Sequence, residues 1–226
     1  MCEFASFILT KSNEYYLENS NSHEDIIDKY HFNDNNIVRI EMLPPVPILN
    51  EERYTEKFLN KLRDPNNWRF KVDQDTYPDW TYKGDPTLKE KALKALTRRI
   101  EKQKIGYKIE TAYDEFVKVG YSGIAISYDH SMVIAGDYGQ AVGGANSIVI
   151  AGRYGQALAG VKSKAIVGVG GVAAAGCYGQ IQIDYWAFGS VHTIIGYVGA
   201  DGILANTFYK VKNTFYKVKD AQLVLD

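Results

Sequence analysis

From Ser122 onward the chain can be cut into steps of eight without a gap: SGIAISYD, HSMVIAGD, YGQAVGGA, NSIVIAGR, YGQALAGV, KSKAIVGV, GGVAAAGC, YGQIQIDY. The second position is always Gly or Ser, and the seventh is Gly in six consecutive units, from Gly136 to Gly176. A short fixed period of this kind points to a solenoid, because one unit cannot bury its apolar face alone and must stack on the next. Positions four to six are apolar and read as a short strand. The Gly at position seven is expected to supply the backbone conformation of a tight corner, which a β-carbon would obstruct.

The units alternate. Met132, Ile148 and Lys164 head one series at sixteen-residue spacing, and Tyr138 and Tyr154 mark the other. A rung is therefore two octads, and the eight octads predict four rungs in two facing sheets, roughly 19 Å long at about 4.8 Å per strand. Small residues at position four, such as Ala125, Ala141, Ala157 and Ala173, suit a thin interior.

Position five carries Ile126, Ile134, Val142, Ile150, Leu158 and Ile166, so both faces of each strand are apolar. Only one face can be interior, and a contiguous apolar patch on the other needs a cover. The expected cover is a second copy of the chain, with Ile126, Ile134, Ile150, Leu158 and Ile166 as the interface of a homo-oligomer. The repeated Tyr-Gly-Gln at Tyr138, Tyr154 and Tyr178 predicts a tyrosine ladder along one edge. The ladder reads either as a stabilising stack or, with Arg153, as an amphipathic strip that meets a partner.

Residues 1–115 mix charge, aromatics and turn signals, as an α+β domain does. Phe4 to Leu9 and Glu14 to Leu17 predict a hairpin, and Ser22 with Asp25 opens a short helix. Ile37 to Leu43 and Trp68 to Val72 read as strands, and Asn50 to Leu62 as a helix. Asp85-Pro86 begins a longer helix with Lys89, Lys91, Lys94, Arg98 and Arg99 on a solvated face. The organisation expected is an α+β domain over 1–115, a two-sheeted octapeptide β-solenoid over 116–205 and a capping hairpin over 206–226. Within that hairpin the heptapeptide NTFYKVK occurs twice in tandem, and the second copy is expected to pair with Gln222 to Leu225.

A formal net charge of -1 offers no basic field for phosphate backbones, so direct nucleic-acid binding is not expected. Cys2 and Cys177 form neither a disulfide framework nor a zinc half-site. Met1 to Thr10 lacks the basic and small-residue pattern of a secretory leader. Ala165 to Ile183 is free of charge and long enough to span a bilayer, but it keeps the octad register and is read as solenoid, not membrane.

No nucleophile elbow, phosphate loop or paired-cysteine site is present. His23, His31, His130 and His192 fall singly and are read as surface residues. Asp73, Asp75 and Asp79 form the best carboxylate cluster, which could serve as a metal or acid/base site but fits an Asp-rich turn better. The expectation is no catalytic residue, no metal and no cofactor.

The Met1-Cys2-Glu3-Phe4 opening, the Trp68 to Asp75 segment with Pro78-Asp79-Trp80, and the octads ending in Ala-Gly resemble small uncharacterised proteins of bacteriophages and prophages. That resemblance implies a cytoplasmic protein of an infected or lysogenic bacterial cell. It implies a non-enzymatic binder of a host protein or ribonucleoprotein, such as an inhibitor of a defence system of the anti-CRISPR kind. The alternative is a structural, oligomerising part of a virion or surface assembly.

Overall fold

A computed structural model describes residues 5–17, 20, 22–46, 54–187, 189–200, 202–212 and 222–225. The chain divides into two compact units, Met1–Gln103 and Lys104–Asp226.

In the first unit, β1 (Ala5–Leu9), β2 (Glu14–Tyr15), β3 (Val38–Leu43) and β4 (Arg69–Val72) form an antiparallel sheet in the order β2-β1-β3-β4. The β1–β2 hairpin and both later strands lie where the sequence places them. All five residues of β1 are buried. Both faces are therefore covered: Ile8 packs with Ile26 of α1 (His23–Tyr30), while Phe7 lies against the Arg99 guanidinium of α3 (Pro86–Gln103).

The helices start where side chains can satisfy their first N–H groups. The Ser22 hydroxyl accepts from Asp25 N–H at 3.2 Å, and Asp85 accepts from Thr87 N–H at 2.9 Å. The helix expected from Asn50 begins later: α2 spans Glu56–Arg63 with Thr55 as its cap. Residues 50–53 lie outside the described residues. Three charged residues expected on a solvated face of α3 are otherwise engaged. Arg99 is buried over the Phe7 and Tyr16 rings, and its desolvation pulls the guanidinium down to about 10. Lys91 donates to the Thr10 and Lys11 carbonyls, and Arg98 pairs with Glu14.

The second unit is a β-solenoid of five turns. One column contains β5 (Lys108–Glu110), β7 (Ile124–Ile126), β9 (Gln140–Gly143), β11 (Gln156–Ala159) and β13 (Val172–Ala175). The other contains β6 (Phe116–Val119), β8 (Met132–Ala135), β10 (Ile148–Ala151), β12 (Lys164–Val167) and the first half of β14 (Gln180–Ala187). Within each column neighbours are parallel and in register at sixteen residues, as Ile148 opposite Met132 shows. The stack thus starts before residue 116 and holds one rung more than the octads from Ser122 announce. The missing rung departs from the octad consensus, with Lys108, Glu110 and Lys118 in its strands.

Positions four and six point inward: Ala125, Val133, Ala141, Val149, Ala157, Ala165 and Ala173 are buried, together with Ala135, Ala151, Ala159, Val167 and Ala175. The charge-free Ala165 to Ile183 stretch is β12, β13 and the start of β14 with their corners. Among the described residues no helix is long and apolar enough to cross a membrane.

The corners differ from expectation in a way that reassigns the glycines. The left-handed residue of every corner is position one: Ser122, His130, Tyr138, Asn146, Tyr154, Lys162 and Tyr178 have φ between 50° and 61°, and Gly170 has 76°. The position-seven glycines have ordinary φ and are needed for space. A β-carbon on Gly160 would lie 2.6 Å from the backbone carbon of Gly144 in the rung before. At Gly152 it would lie 2.4 Å from the Asp137 carboxylate, which reaches across to accept from Arg153 N–H at 2.9 Å.

Both columns end in antiparallel strands. β14 turns back into β15 (Ser190–Tyr197), and β13 is joined by β16 (Tyr209–Lys212), which pairs with β17 (Gln222–Leu225). A terminal hairpin was expected, but its partner strand is the first heptapeptide copy and not the second. The second copy, residues 213–219, lies outside the described residues.

Candidate functional site

Because a rung is sixteen residues, octads separated by an odd number of steps fall on opposite corners. Tyr138 and Tyr154 share one corner column and stack with ring centroids 5.1 Å apart and planes at 17°. Tyr121 meets Tyr138 edge-on at 5.5 Å, and the column ends where Gly170 faces the Tyr154 ring. Tyr178 is twenty-four residues beyond Tyr154 and stands in the other corner column, above His130, Asn146 and Lys162, 82% exposed. The tyrosine strip is thus Tyr121, Tyr138 and Tyr154, and Tyr178 does not belong to it. Arg153 lies beside this strip, but its guanidinium is held by Asp137 of the preceding rung through Nε at 3.0 Å and Nη2 at 2.9 Å.

The opposite corner carries a different ladder. Ser131 N–H donates to the Ser147 hydroxyl at 3.2 Å and Ser147 N–H to the Ser163 hydroxyl at 2.9 Å. Each serine is buried and also bonded to a carbonyl, so the column is satisfied internally. This explains why Gly and Ser alternate at position two from Gly123 to Gly171: serine builds the ladder at one corner, until Gly179 ends it. At the other, a β-carbon on Gly139 or Gly155 would lie 2.8 Å from an alanine β-carbon.

The five residues expected to form the oligomer interface also divide. Ile134, Ile150 and Ile166 lie on the outer face of β8, β10 and β12, whereas Ile126 and Leu158 lie on the outer face of β7 and β11. They cannot make one interface by themselves. On the first of these faces they are joined by a parallel column from position three: Phe116 is 61% exposed, Met132 39% and Ile148 40%. Lys118, Lys164, Gln180 and Gln182 frame the apolar centre. On the second face Gln140 and Gln156 hydrogen-bond to each other at 2.9 Å, which makes it more polar.

The carboxylate cluster is broken up as well. Asp75 and Asp79 are exposed turn residues, but Asp73 is drawn to the sheet. Its N–H donates to the Arg39 carbonyl at 2.9 Å, and the neighbouring Gln74 side chain accepts from Arg39 N–H at 2.7 Å. There Asp73 meets His23 and Glu41, and one ligand atom from each residue lies within 4.8 Å of the others. His23 is 1% exposed and Glu41 3%. The His23 Nε2 donates to the Ile40 carbonyl at 3.0 Å, and Nδ1 faces Asp73 Oδ2 at 3.5 Å. Lys71 Nζ lies 2.8 Å from Glu41 and 3.4 Å from Asp73, and its bond to Glu41 raises the ammonium above the usual lysine range.

His23 was expected at the surface. It is instead the buried first residue of α1, while His31 is the exposed left-handed residue that ends the helix. No spacing in the sequence links residues 23, 41 and 73. The antiparallel pairing of β3 with β4 brings Glu41 opposite Lys71, next to Asp73.

No family model matches this chain, and no curated protein and no solved structure matches it.

Proposed function

We propose that this chain is a non-enzymatic interaction protein that binds a macromolecule through the surface of its solenoid. The observation that carries the reading is the exposed Phe116, Met132 and Ile148 column beside Ile134, Ile150 and Ile166 on one parallel sheet. Parallel sheets are ordinarily covered on both faces, and an apolar patch this continuous marks an interaction site. In this reading two copies meet through that face, and the Tyr138 and Tyr154 edge with Arg153 meets the partner. Stacked tyrosines offer rigid apolar area with hydroxyls at the rim, which suits a protein surface. The resemblance to phage proteins supplies the first partner to try, a bacterial defence complex.

A pull-down of the tagged chain from a bacterial lysate, with light scattering on the eluate, tests the reading. A stoichiometric host protein or ribonucleoprotein, lost on Tyr154→Ala, is the expected result. Recovery of a homo-oligomer alone would replace this reading with that of a structural component. A monomer that is unchanged by Ile150→Lys and captures nothing would overturn both.

A further inference from the structure

The His23, Glu41 and Asp73 group has no part in the solenoid reading, and its geometry has a use of its own. We propose that these three residues bind one divalent transition-metal ion of the zinc class. The ligand set is one imidazole nitrogen and two carboxylates, a borderline N/O donor set of the kind zinc accepts in sites that keep a position open.

Three features of the group support this. First, the imidazole is oriented as a ligand. A carbonyl can only accept, so Nε2 donates to Ile40 and the other ring nitrogen, Nδ1, faces Asp73. Metal-ligating histidines are commonly held this way, with the far nitrogen donating to a backbone carbonyl.

Second, the spacing is close to what an ion needs. Ligands about 2.1 Å from a tetrahedral centre lie roughly 3.4 Å apart. The Nδ1 to Oδ2 separation of 3.5 Å is close to this value, and one ligand atom from each of the three residues lies within 4.8 Å of the others. Third, the supports are rigid. Glu41 is on β3, which is paired on both sides, and the Asp73 backbone is bonded to Arg39.

Lys71 now supplies the positive charge that two neighbouring carboxylates demand. It is half exposed on a long stem and can swing into solvent, so it acts as a competitor of the ion and not as a fixed part of the site.

The test uses the full chain with no histidine tag. Co²⁺ is titrated as a spectroscopic probe and displaced by Zn²⁺, with calorimetry for stoichiometry and melting temperature as a second readout. The expected result is one equivalent of Co²⁺ with a visible absorption band, displacement by Zn²⁺ and a raised melting temperature. Asp73→Asn and His23→Gln should weaken binding by about tenfold or more, Lys71→Met should tighten it, and His130→Gln should leave it unchanged. Asp73→Asn alters a half-exposed side chain and keeps the test valid if His23→Gln does not fold. Absence of a band and of heat, or binding that survives Asp73→Asn unchanged, would overturn the proposal. In that case the group is a buried histidine–carboxylate pair neutralised by Lys71.

Discussion

In the N-terminal unit the interior is built from large side chains: Phe7, Ile8, Leu9, Leu62, Leu96 and Ile100 are fully buried. In the solenoid the interior is mostly alanine and valine, and glycine or serine stands at position two of each octad. The first interior is stabilised by the apolar area it removes from water. The second removes little area per residue and depends on parallel hydrogen bonding and on backbones that approach closely from rung to rung. The difference teaches that the two units should fail in opposite directions. One is broken by taking atoms away, the other by adding a single methyl.

The largest effect is expected from Leu96→Ala, which opens a cavity in the N-terminal unit and should cost about 2–5 kcal/mol. Gly160→Ala should cost about 1–3 kcal/mol or more in the solenoid, because the atom it meets is backbone and cannot turn aside. Denaturant melts read by tryptophan fluorescence separate the two. Trp68 and Trp80 report on the first unit and Trp186 on the second, so single-tryptophan backgrounds assign each loss. If Leu96→Ala and Gly160→Ala each lowered both transitions equally, the contrast between the units would fail.

A smaller change of the opposite sign would sharpen it. Ser122 is fully buried, its hydroxyl has no hydrogen-bond partner, and its φ is 50°. Ser122→Gly removes both penalties, offset by glycine's backbone entropy, and should stabilise the solenoid by about 1 kcal/mol. A thermal melt that shifts downward would show that the hydroxyl serves the corner.

The smallest effect is expected at Arg153. Its pair with Asp137 is largely exposed, so Arg153→Ala should cost no more than about 1 kcal/mol, and the cost should shrink with added salt. If partner capture is lost while stability is kept, Arg153 belongs to the docking surface. If capture holds while stability falls, it serves only the rung.

The sequence carried the solenoid openly because its period is local and every rung repeats the same packing. Even there the corner chemistry was misread. Glycine at position seven suggested the special backbone conformation of the corner, yet the chain gives the left-handed conformation to Tyr138, Asn146 and Lys162 and reserves that glycine for close approach, where a β-carbon is indeed obstructed. Tyr178 was grouped with Tyr138 and Tyr154 because its tripeptide is the same, whereas its column depends on whether the step count is odd or even. The rung at Lys108 to Val119 was missed because charged residues replace the consensus. The His23, Glu41 and Asp73 group was invisible for a different reason. It forms only when a helix start, a central strand and the residue after an edge strand are brought together by antiparallel pairing, and no periodicity records that.

The sixteen-residue rung has a further consequence for how a chain of this kind can vary. Removing Asn146 to Val161 as a block would join Ala145 to Lys162, return every later strand to its own column and keep serine above serine. Removing a single octad would instead transfer every later strand to the opposite sheet and set tyrosine corners over serine corners. Length in the solenoid is therefore quantised: viable insertions and deletions come in whole rungs, and related chains should differ by multiples of sixteen.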